Sequence, residues 1–366
     1  MKILHIDPDD LDRPESGGSP IRTFEIYRRL ADRHDVTVLT PNFEESKKVQ
    51  IKEGIKFVRV GDKFRNHRST YYFSFYALAP FEVRKHNYDL LVEDLMPPAD
   101  VTITPLLNKK APIIASVQWF FAEIVSRKLM FPFHLFRKIG IKNYDNFIAL
   151  TGDMETKIRT LHPSANIQVI PNGIDSALFD TTPVYDDFIL FLGRLDQLHK
   201  GVDILIESFN KIANQTDVDL VVAGAGTSED LMRNLVLKYN LEKRVRFVGK
   251  VGFEKKQELL SKCRFVAMPS RHETFGMVST ESFACTKTVV AFDIPNLGNV
   301  ARKDHAVIVE PFDCDAYAKA LLMLLNDKQK CIVLGEKAKI FAEDYMWDSV
   351  ACMQEQFYFE CLKAQK

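Results

Sequence analysis

The sequence predicts an α/β protein made of two doubly wound, Rossmann-like domains. The chain has 366 residues, which is more than a single hydrophobic core usually organises. Short apolar runs alternate with helical patterns in both halves, and this alternation is typical of a mostly parallel sheet with helices on both faces. One interruption rich in turn-forming residues separates the halves. We therefore expect two domains with a ligand-binding cleft between them.

The predicted strands of the first half are short apolar runs, several of them rich in β-branched residues. Between the first two runs, Phe24, Tyr27 and Leu30 have the spacing of one helix face. The runs cover residues 3–6, 36–40, 57–60, 90–92, 113–117, 147–151 and 167–170.

The connector Pro171-Asn172-Gly173-Ile174-Asp175 ends this pattern, because its residue types favour a turn over a strand. We place the domain boundary here, with a first domain over 1–171 and a second that begins at 172. Helical patterns occupy 321–325 and the stretch after 340. The predicted strands of the second half are 188–192, 220–223, 245–248, 265–268, 289–292 and 306–309.

Composition argues against nucleic-acid binding, because Lys+Arg and Asp+Glu both number 49. The N-terminus has no apolar signal core, and no apolar run approaches the roughly 20 residues of a spanning helix. The 6 cysteines form no CxxC pair, so we expect free thiols and no zinc site. These features predict a cytoplasmic protein.

The densest chemical signal is the segment 269–281, Pro-Ser-Arg-His-Glu-Thr-Phe-Gly-Met-Val-Ser-Thr-Glu. Gly276 lets the backbone approach a ligand, and a helix that begins at Gly276 or Met277 directs its first amides towards a phosphate. Glu273 and Glu281 can then bind hydroxyls on either side of a diphosphate. The alternative is that they are a solvated loop acid and a helix-surface acid.

A second signal follows the predicted strand 188–192, where Gly193, Arg194 and Lys200 precede Gly201. Two cations at the end of a strand suit a diphosphate leaving group, although surface charge is the alternative. Glycine pairs at Gly224 and Gly226, and at Gly17 and Gly18, are weaker signals, because many turns need glycine for geometry alone.

Taken together, these motifs resemble the retaining glycosyltransferases of family 4, which have the GT-B fold, over nearly the whole chain. The family's Trp-containing C-terminal helix, matched around Trp347, implies that residues of about 340–366 cross back to the N-terminal domain, which leaves 172–339 as the donor domain. The matching motifs are Gly17-Gly18, Asn172 to Asp175, Gly193-Arg194 with Lys200-Gly201, and Glu273 with Glu281 around a Phe-Gly pair.

The resemblance also implies roles for individual residues. Arg194, Lys200 and Glu273 would be catalytic, the two cations holding the diphosphate and the glutamate holding hydroxyls of the transferred sugar. Glu281 would bind the ribose. Further donor contacts are implied for the backbone of Lys250 and Val251 at the nucleobase, for the amides of Phe275, Gly276, Met277 and Val278, and for Gly17, Gly18, Gln118, Asn172, Gly193 and Gly224.

Three departures from the family pattern stand out. Thr286-Lys287-Thr288 replaces a Gly-x-Pro turn, and 293–298 replaces a loop that often begins with a glycine pair. Gln118 occupies the place of a histidine near the reaction centre. Since glutamine cannot take up a proton, this change is expected to affect rate or donor preference.

The predicted reaction is the transfer of a hexose-like sugar from a nucleoside diphosphate sugar to a hydroxyl of a glycan, a lipid-linked or a small-molecule acceptor, with retention. No cofactor other than the donor and no metal is expected, since no DxD motif is evident. The alternatives are a non-catalytic nucleotide-sugar-binding subunit and a same-fold epimerase or phosphorylase.

Two segments of the first half combine basic and aromatic residues, over 63–85 and 119–138. Such segments can rest on an anionic membrane and reach a lipid-linked acceptor. Alternatively, they are ordinary helices that pack their aromatic side chains inward.

Overall fold

The computed structural model describes residues 1–13, 16–61, 68–96, 102–118 and 133–365. It divides into two compact units, one formed by Met1–Gly173 with Trp347–Lys366 and the other by Ile174–Met346. Within the described residues, no helix combines the length and the apolar character needed to cross a bilayer. All six cysteines lie in this part of the chain and are free thiols.

The first unit contains an eight-stranded sheet of order β3-β4-β2-β1-β5-β6-β7-β8. Its strands are β1 (Lys2–Ile6), β2 (Asp35–Pro41), β3 (Val49–Lys52), β4 (Ile55–Val60), β5 (Leu90–Leu95), β6 (Ile113–Val117), β7 (Asn146–Ala149) and β8 (Asn166–Val169). Its helices are α1 (Ser19–Leu30), α2 (Arg68–Glu82), α3 (Thr104–Leu107), α4 (Phe133–Gly140) and α5 (Gly152–Leu161), and the C-terminal helix Trp347–Ala364 joins them.

The sheet of the first unit is parallel except at one edge, as expected for alternating strands and helices. The exception is β3, which pairs antiparallel with β4 and which the sequence did not predict. Its four residues are exposed or half-buried, so the strand lacks the apolar run that identifies the others. Thr151 also differs from its prediction as a strand residue, because its side chain caps α5 by accepting a hydrogen bond from the amide of Met154 at 3.2 Å.

The second unit contains a six-stranded, fully parallel sheet of order β11-β10-β9-β12-β13-β14. Its strands are β9 (Phe188–Leu192), β10 (Asp219–Ala223), β11 (Val245–Gly249), β12 (Phe265–Met268), β13 (Val289–Phe292) and β14 (Val307–Val309). Its helices are α6 (Gln197–Lys200), α7 (Val202–Ile212), α8 (Glu229–Lys238), α9 (Phe253–Lys262), α10 (Met277–Ala284), α11 (Cys314–Asn326) and α12 (Lys328–Ala342).

The C-terminal helix, α13 (Trp347–Ala364), packs against α1 in the first unit, which confirms the expected return of the chain. The hydroxyls of Tyr27 and Tyr358 lie 3.0 Å apart in this contact, and both side chains are buried. Where the helix begins, the indole of Trp347 lies against Gly173, and a Cβ added to this glycine would lie 2.3 Å from the ring. Only glycine fits at this position of the connector.

Candidate functional site

The predicted residues of the second unit follow the carboxyl ends of four neighbouring strands. Because β11, β10, β9 and β12 are parallel neighbours, these ends share one edge of the sheet, where ligands of open α/β sheets bind. Gly193 follows β9, Gly224 follows β10, Lys250 and Val251 follow β11, and the segment with Glu273 follows β12.

Gly193 and Gly224 allow the ends of β9 and β10 to approach closely. Their φ angles are +155° and +153°, and a Cβ added to Gly224 would lie 1.8 Å from the carbonyl oxygen of Gly193. A Cβ on Gly226 would lie 2.4 Å from the oxygen of Leu195. The packing of two chain segments therefore accounts for glycine at Gly224 and Gly226, and a donor contact of Gly224 stays a prediction.

Lys200 and Glu273 form an ion pair. Lys200 Nζ donates to Glu273 Oε1 at 2.6 Å, and Ser270 Oγ donates to the same oxygen at 2.8 Å. The side chain of Glu273 is only 7% exposed, so the alternative that it is a solvated loop acid is wrong. The pair depends on a close approach of two loops, since a Cβ added to Gly201 would lie 2.0 Å from the oxygen of Pro269.

Arg271 and Asp203 hold the same two loops together. The guanidinium donates two hydrogen bonds to the carboxylate, at 2.8 and 2.7 Å, and the amide of Arg271 donates to the oxygen of His199 at 2.7 Å. Burial raises the pKa of Asp203, but Arg271 outweighs it and the net shift is downward. Sequence reasoning missed this ion pair, because Asp203 belongs to no motif and lies 68 positions from Arg271.

The loop 293–298, which departs from the family pattern, lies directly beside this site. Asn296 is buried, with φ +69°, and its Nδ2 donates to the main-chain oxygen of Glu273 at 2.9 Å. The next residue, Leu297, lies against Gly276, where an added Cβ would approach Leu297 Cδ1 to 2.6 Å. The loop thus supports the glutamate segment without a glycine pair.

The helix α10 begins at Met277, as predicted, with Gly276 as its N-cap at φ +90°. No side chain caps this end, and the amides of Met277 and Val278 have no acceptor within the helix. The preceding side chain, Phe275, is buried and its ring centroid lies 6.0 Å from that of Tyr345. The start of α10 therefore has the properties of an anion-binding helix terminus.

Glu281 lies inside α10 and pairs with Lys256 of α9. Lys256 Nζ donates to Glu281 Oε1 at 2.6 Å, and the two side chains are 23% and 14% exposed. Glu281 is therefore a half-buried, paired acid rather than a free surface acid. Sequence reasoning missed Lys256, because 25 positions separate the partners and no motif surrounds the lysine.

Arg194 differs from Lys200, although the two share one loop. Its side chain is exposed, and within the described residues its guanidinium forms no hydrogen bond or ion pair. The structure thus brings Lys200 into contact with Glu273, and leaves Arg194 at the surface of the same edge. Lys250 is exposed and Val251 half-buried beyond β11.

The predicted residues of the first unit lie near its strand ends and the connector. The amide of Gly17 donates to Asp9 Oδ2 at 3.0 Å, and Gly18 is the N-cap of α1. Gln118 follows β6 and donates to Asp94 Oδ1 at 3.3 Å. Asn172 accepts a hydrogen bond of 3.2 Å from Arg22 Nη1.

Comparison with known sequences matches the two halves of the chain separately. Residues 16–178 match the family model described as Glycosyltransferase Family 4, and residues 180–341 match the model described as Glycosyl transferases group 1. An uncharacterised glycosyltransferase of Methanocaldococcus jannaschii is 25% identical over 98% of this chain and 99% of its own length.

Comparison with solved structures confirms the GT-B fold. Sucrose-phosphate synthase from Thermosynechococcus elongatus matches with a TM-score of 0.84 at 20% identity, covering 99% of each chain. HepE of Anabaena, in a structure that contains UDP-glucose, matches with a TM-score of 0.74 at 19% identity, covering 100% of each chain. At these identities the likeness concerns the fold alone.

Proposed function

Since this chain belongs to the family 4 glycosyltransferases and transfers a sugar from a nucleotide sugar, we propose that it moves a hexose to a hydroxyl acceptor with retention of configuration. The observation that carries this proposal is the Lys200–Glu273 ion pair beside the open start of α10. The cation and the amides at this edge of the sheet can bind the phosphates of a sugar diphosphate, and the buried acid can accept hydrogen bonds from the sugar hydroxyls.

The donor diphosphate binds to Lys200, Arg194 and the amides of Met277 and Val278. Glu273 holds hydroxyls of the sugar, and Glu281 holds the ribose. The nucleobase meets the backbone at Lys250 and Val251. HepE, which has the same fold, was crystallised with UDP-glucose, so UDP-glucose is the first donor to test.

In the reaction, the bond between the anomeric carbon and the diphosphate oxygen breaks, and its electron pair leaves with the diphosphate. The acceptor oxygen forms the new bond on the same face of the sugar, and its proton passes to the leaving phosphate. Lys200, Arg194 and the helix amides stabilise the charge that builds on the diphosphate. These groups take the place of a divalent ion, so the transfer is metal-independent.

The first unit, Met1–Gly173 with Trp347–Lys366, which include the C-terminal helix α13, supplies the acceptor side in this proposal. We also propose donor contacts for Gly17, Gly18, Gln118 and Asn172, and we assign the donor-binding role to the second unit, Ile174–Met346. We place the protein in the cytoplasm, where nucleotide sugars are available and its free thiols stay reduced.

A peripheral membrane contact is proposed for the face that α2 and α3 present. Phe73 is 72% exposed and Phe81 is 50% exposed on α2, with Arg84 and Lys85 just beyond them, whereas Phe75 is buried. Asn108, after α3, donates to the oxygen of Pro80 at 3.1 Å, so the two helices are neighbours. Leu106 is 56% exposed on α3, before Lys109 and Lys110.

Apolar side chains beside cations are suited to an anionic bilayer, and flotation with vesicles that contain anionic lipid tests this contact. Failure to bind them argues for an acceptor in solution. Other residues of the two basic and aromatic segments, 63–67 and 119–132, lie outside the described residues.

A panel of UDP-, GDP- and ADP-sugars tests the proposed function. The cognate donor should raise the unfolding temperature and should be hydrolysed slowly without acceptor, with equal rates in excess chelator. Loss of activity in chelator would contradict the metal-independent mechanism. Binding without hydrolysis or transfer would favour a non-catalytic subunit, and conversion of the free sugar nucleotide into its epimer would favour an epimerase.

A further inference from the structure

Gln118 and Asp94 lie at the carboxyl ends of two paired strands in the first unit. Asp94 of β5 is opposite Ser116 of β6 in the sheet register, and the amide of Gln118 continues the pairing by donating to the oxygen of Leu95 at 3.3 Å. The side-chain Nε2 of Gln118 donates to Asp94 Oδ1 at 3.3 Å and to Ser116 Oγ at 3.0 Å. Both amide hydrogens of Gln118 are therefore used within the protein.

Asp94 is fully buried and held on several sides. His5 Nε2 lies 3.2 Å from Asp94 Oδ1, and Ser19 Oγ donates to Asp94 Oδ2 at 2.7 Å. Burial raises the pKa of Asp94, but the adjacent imidazole of His5 and the hydroxyls of Ser19 and Ser116 outweigh it, so that the net shift is downward. Asp94 is thus a carboxylate, which accepts hydrogen bonds and donates none.

This chemistry determines how the amide of Gln118 is oriented. A carboxylate repels the amide oxygen and accepts from the amide nitrogen, so Nε2 must face Asp94. Within the described residues Oε1 of Gln118 has no hydrogen-bond partner, and the residue is 9% exposed. The oxygen is therefore the end that is available to a ligand.

Asp94 is itself fixed by a buried chain of hydrogen bonds. His5 Nδ1 lies 2.8 Å from the hydroxyl of Tyr27, which contacts Tyr358 of α13 at 3.0 Å. Ser19 is the first residue of α1 and follows Gly17 and Gly18 directly. The carboxylate of Asp94 therefore contacts both Ser19, which follows the glycine pair, and Gln118.

We propose that Asp94 is a positioning residue which holds Gln118 as a hydrogen-bond acceptor, so that the site selects sugars with a hydroxyl at the matching position. This inference rests on the proposed function. Where the family resemblance implies a histidine, this chain would then offer a fixed amide oxygen, which accepts a hydrogen bond from a hydroxyl and transfers no proton.

Gln118→Glu is the informative variant. Its protonated carboxyl can donate to Asp94 and present its carbonyl oxygen as the glutamine does, whereas its ionised form places two carboxylates in contact and raises the pKa of the new acid. We expect donor hydrolysis by this variant to fall at least tenfold as pH rises through that pKa, while the native chain shows no such loss.

Adding Asp94→Asn to Gln118→Glu should abolish the loss of activity at high pH. In the Asp94→Asn/Gln118→Glu chain the repulsion is gone, so its activity should not show the added loss at high pH. Asp94→Asn alone should lower kcat about tenfold or more without changing UDP affinity, because an asparagine allows the Gln118 amide to rotate. Asp89→Asn, an exposed residue just before β5, is the matched control for the same substitution.

The other titratable or charged groups around position 94 cancel when each Gln118→Glu chain is compared with the chain that has the same residue at position 94. They are His5, Asp7, Arg22, Tyr27, Glu93 and Tyr358. A Gln118→Glu chain with the pH profile of the native protein, or one whose added loss persists after Asp94→Asn, overturns the proposal. Absence of any sugar-nucleotide hydrolysis by the native chain would instead contradict the proposed function.

Discussion

Lys200 Nζ donates a 2.6 Å hydrogen bond to Glu273 Oε1, although 73 positions separate the two residues in sequence. The contact exists because β9 and β12 are adjacent in the sheet of the second unit, so that the loops beyond them meet. In the absence of a donor the two charges neutralise each other. In the proposed function, a bound sugar diphosphate offers phosphate to the lysine and hydroxyls to the glutamate, so each charged group would gain a new partner of suitable chemistry.

Lys200→Ala should lower the rate of sugar-nucleotide turnover by roughly 10²-fold, the size of effect seen when one group that stabilises developing negative charge is removed. Steady-state hydrolysis and transfer assays measure this. Lys262→Ala is the matched control, because Lys262 also pairs with a glutamate, Glu258, at 3.0 Å, but on the exposed face of α9. Turnover of Lys200→Ala within threefold of the native rate would contradict the assignment.

Glu281→Ala should weaken the binding of the donor nucleotide by about ten- to a hundredfold, which corresponds to the loss of a hydrogen bond to a charged group. Calorimetric titration with the nucleoside diphosphate measures the change. Lys256→Ala should weaken the same binding less, because it removes only the group that orients the carboxylate. If Glu281→Ala bound the nucleotide with unchanged affinity, the proposal that Glu281 binds the ribose would be wrong.

Gly224→Ala should destabilise the second unit by at least about 2 kcal/mol, because the new Cβ would overlap the oxygen of Gly193. Gly249→Ala is the control. Its φ is +72° but no atom lies within 4 Å of an added Cβ, so only the cost of the left-handed backbone applies, about 1 kcal/mol. Urea unfolding of the two variants compares them, and equal losses would refute the close approach of the two strands.

The burial of Lys287 predicts that the free energy of unfolding depends on pH, which the sequence alone does not suggest. The side chain is buried over the ring of Tyr185, with Nζ 3.5 Å from the ring centroid, and Nζ donates to the oxygen of Val184. Burial lowers the pKa of Lys287 from 10.5 to about 8. Between these values the unfolded chain carries a proton that the folded chain has released, so this group adds stability as pH rises from 8 to 10.5.

The full effect of Lys287 is on the order of 3 kcal/mol at most. Lys287→Met should remove this rise, and urea unfolding of both chains at pH 7.5, 9 and 10 measures the difference between them. Cys263, whose pKa burial raises to about 12, acts in the opposite direction above pH 9, and because the charge of Lys287 lowers that pKa, Lys287→Met does not weaken this opposing effect. Parallel stability curves for the native chain and Lys287→Met would contradict the prediction.

The sequence by itself was enough to predict most of the strands and the start of α10, and to single out Glu273 and Glu281 as candidate site residues. Strands that are buried on both faces can be apolar throughout, so residues 188–192 and 289–292 are visible locally as β9 and β13. The start of α10 can also be predicted locally. Its N-cap residue has a left-handed backbone, which favours glycine, and Gly276 occupies that position. The exposed edge strand β3 carries no such pattern, and it was missed.

Only the tertiary structure decided which polar and charged side chains meet. Lys256 with Glu281, Arg271 with Asp203 and Asp94 with Gln118 are separated by 25, 68 and 24 positions. Such contacts depend on strand order and on how loops pack across neighbouring strand ends, because a charged side chain can reach only the groups that the fold brings within a few ångströms. Local spacing identifies the residues that can do chemistry, and the order of the strands determines their partners.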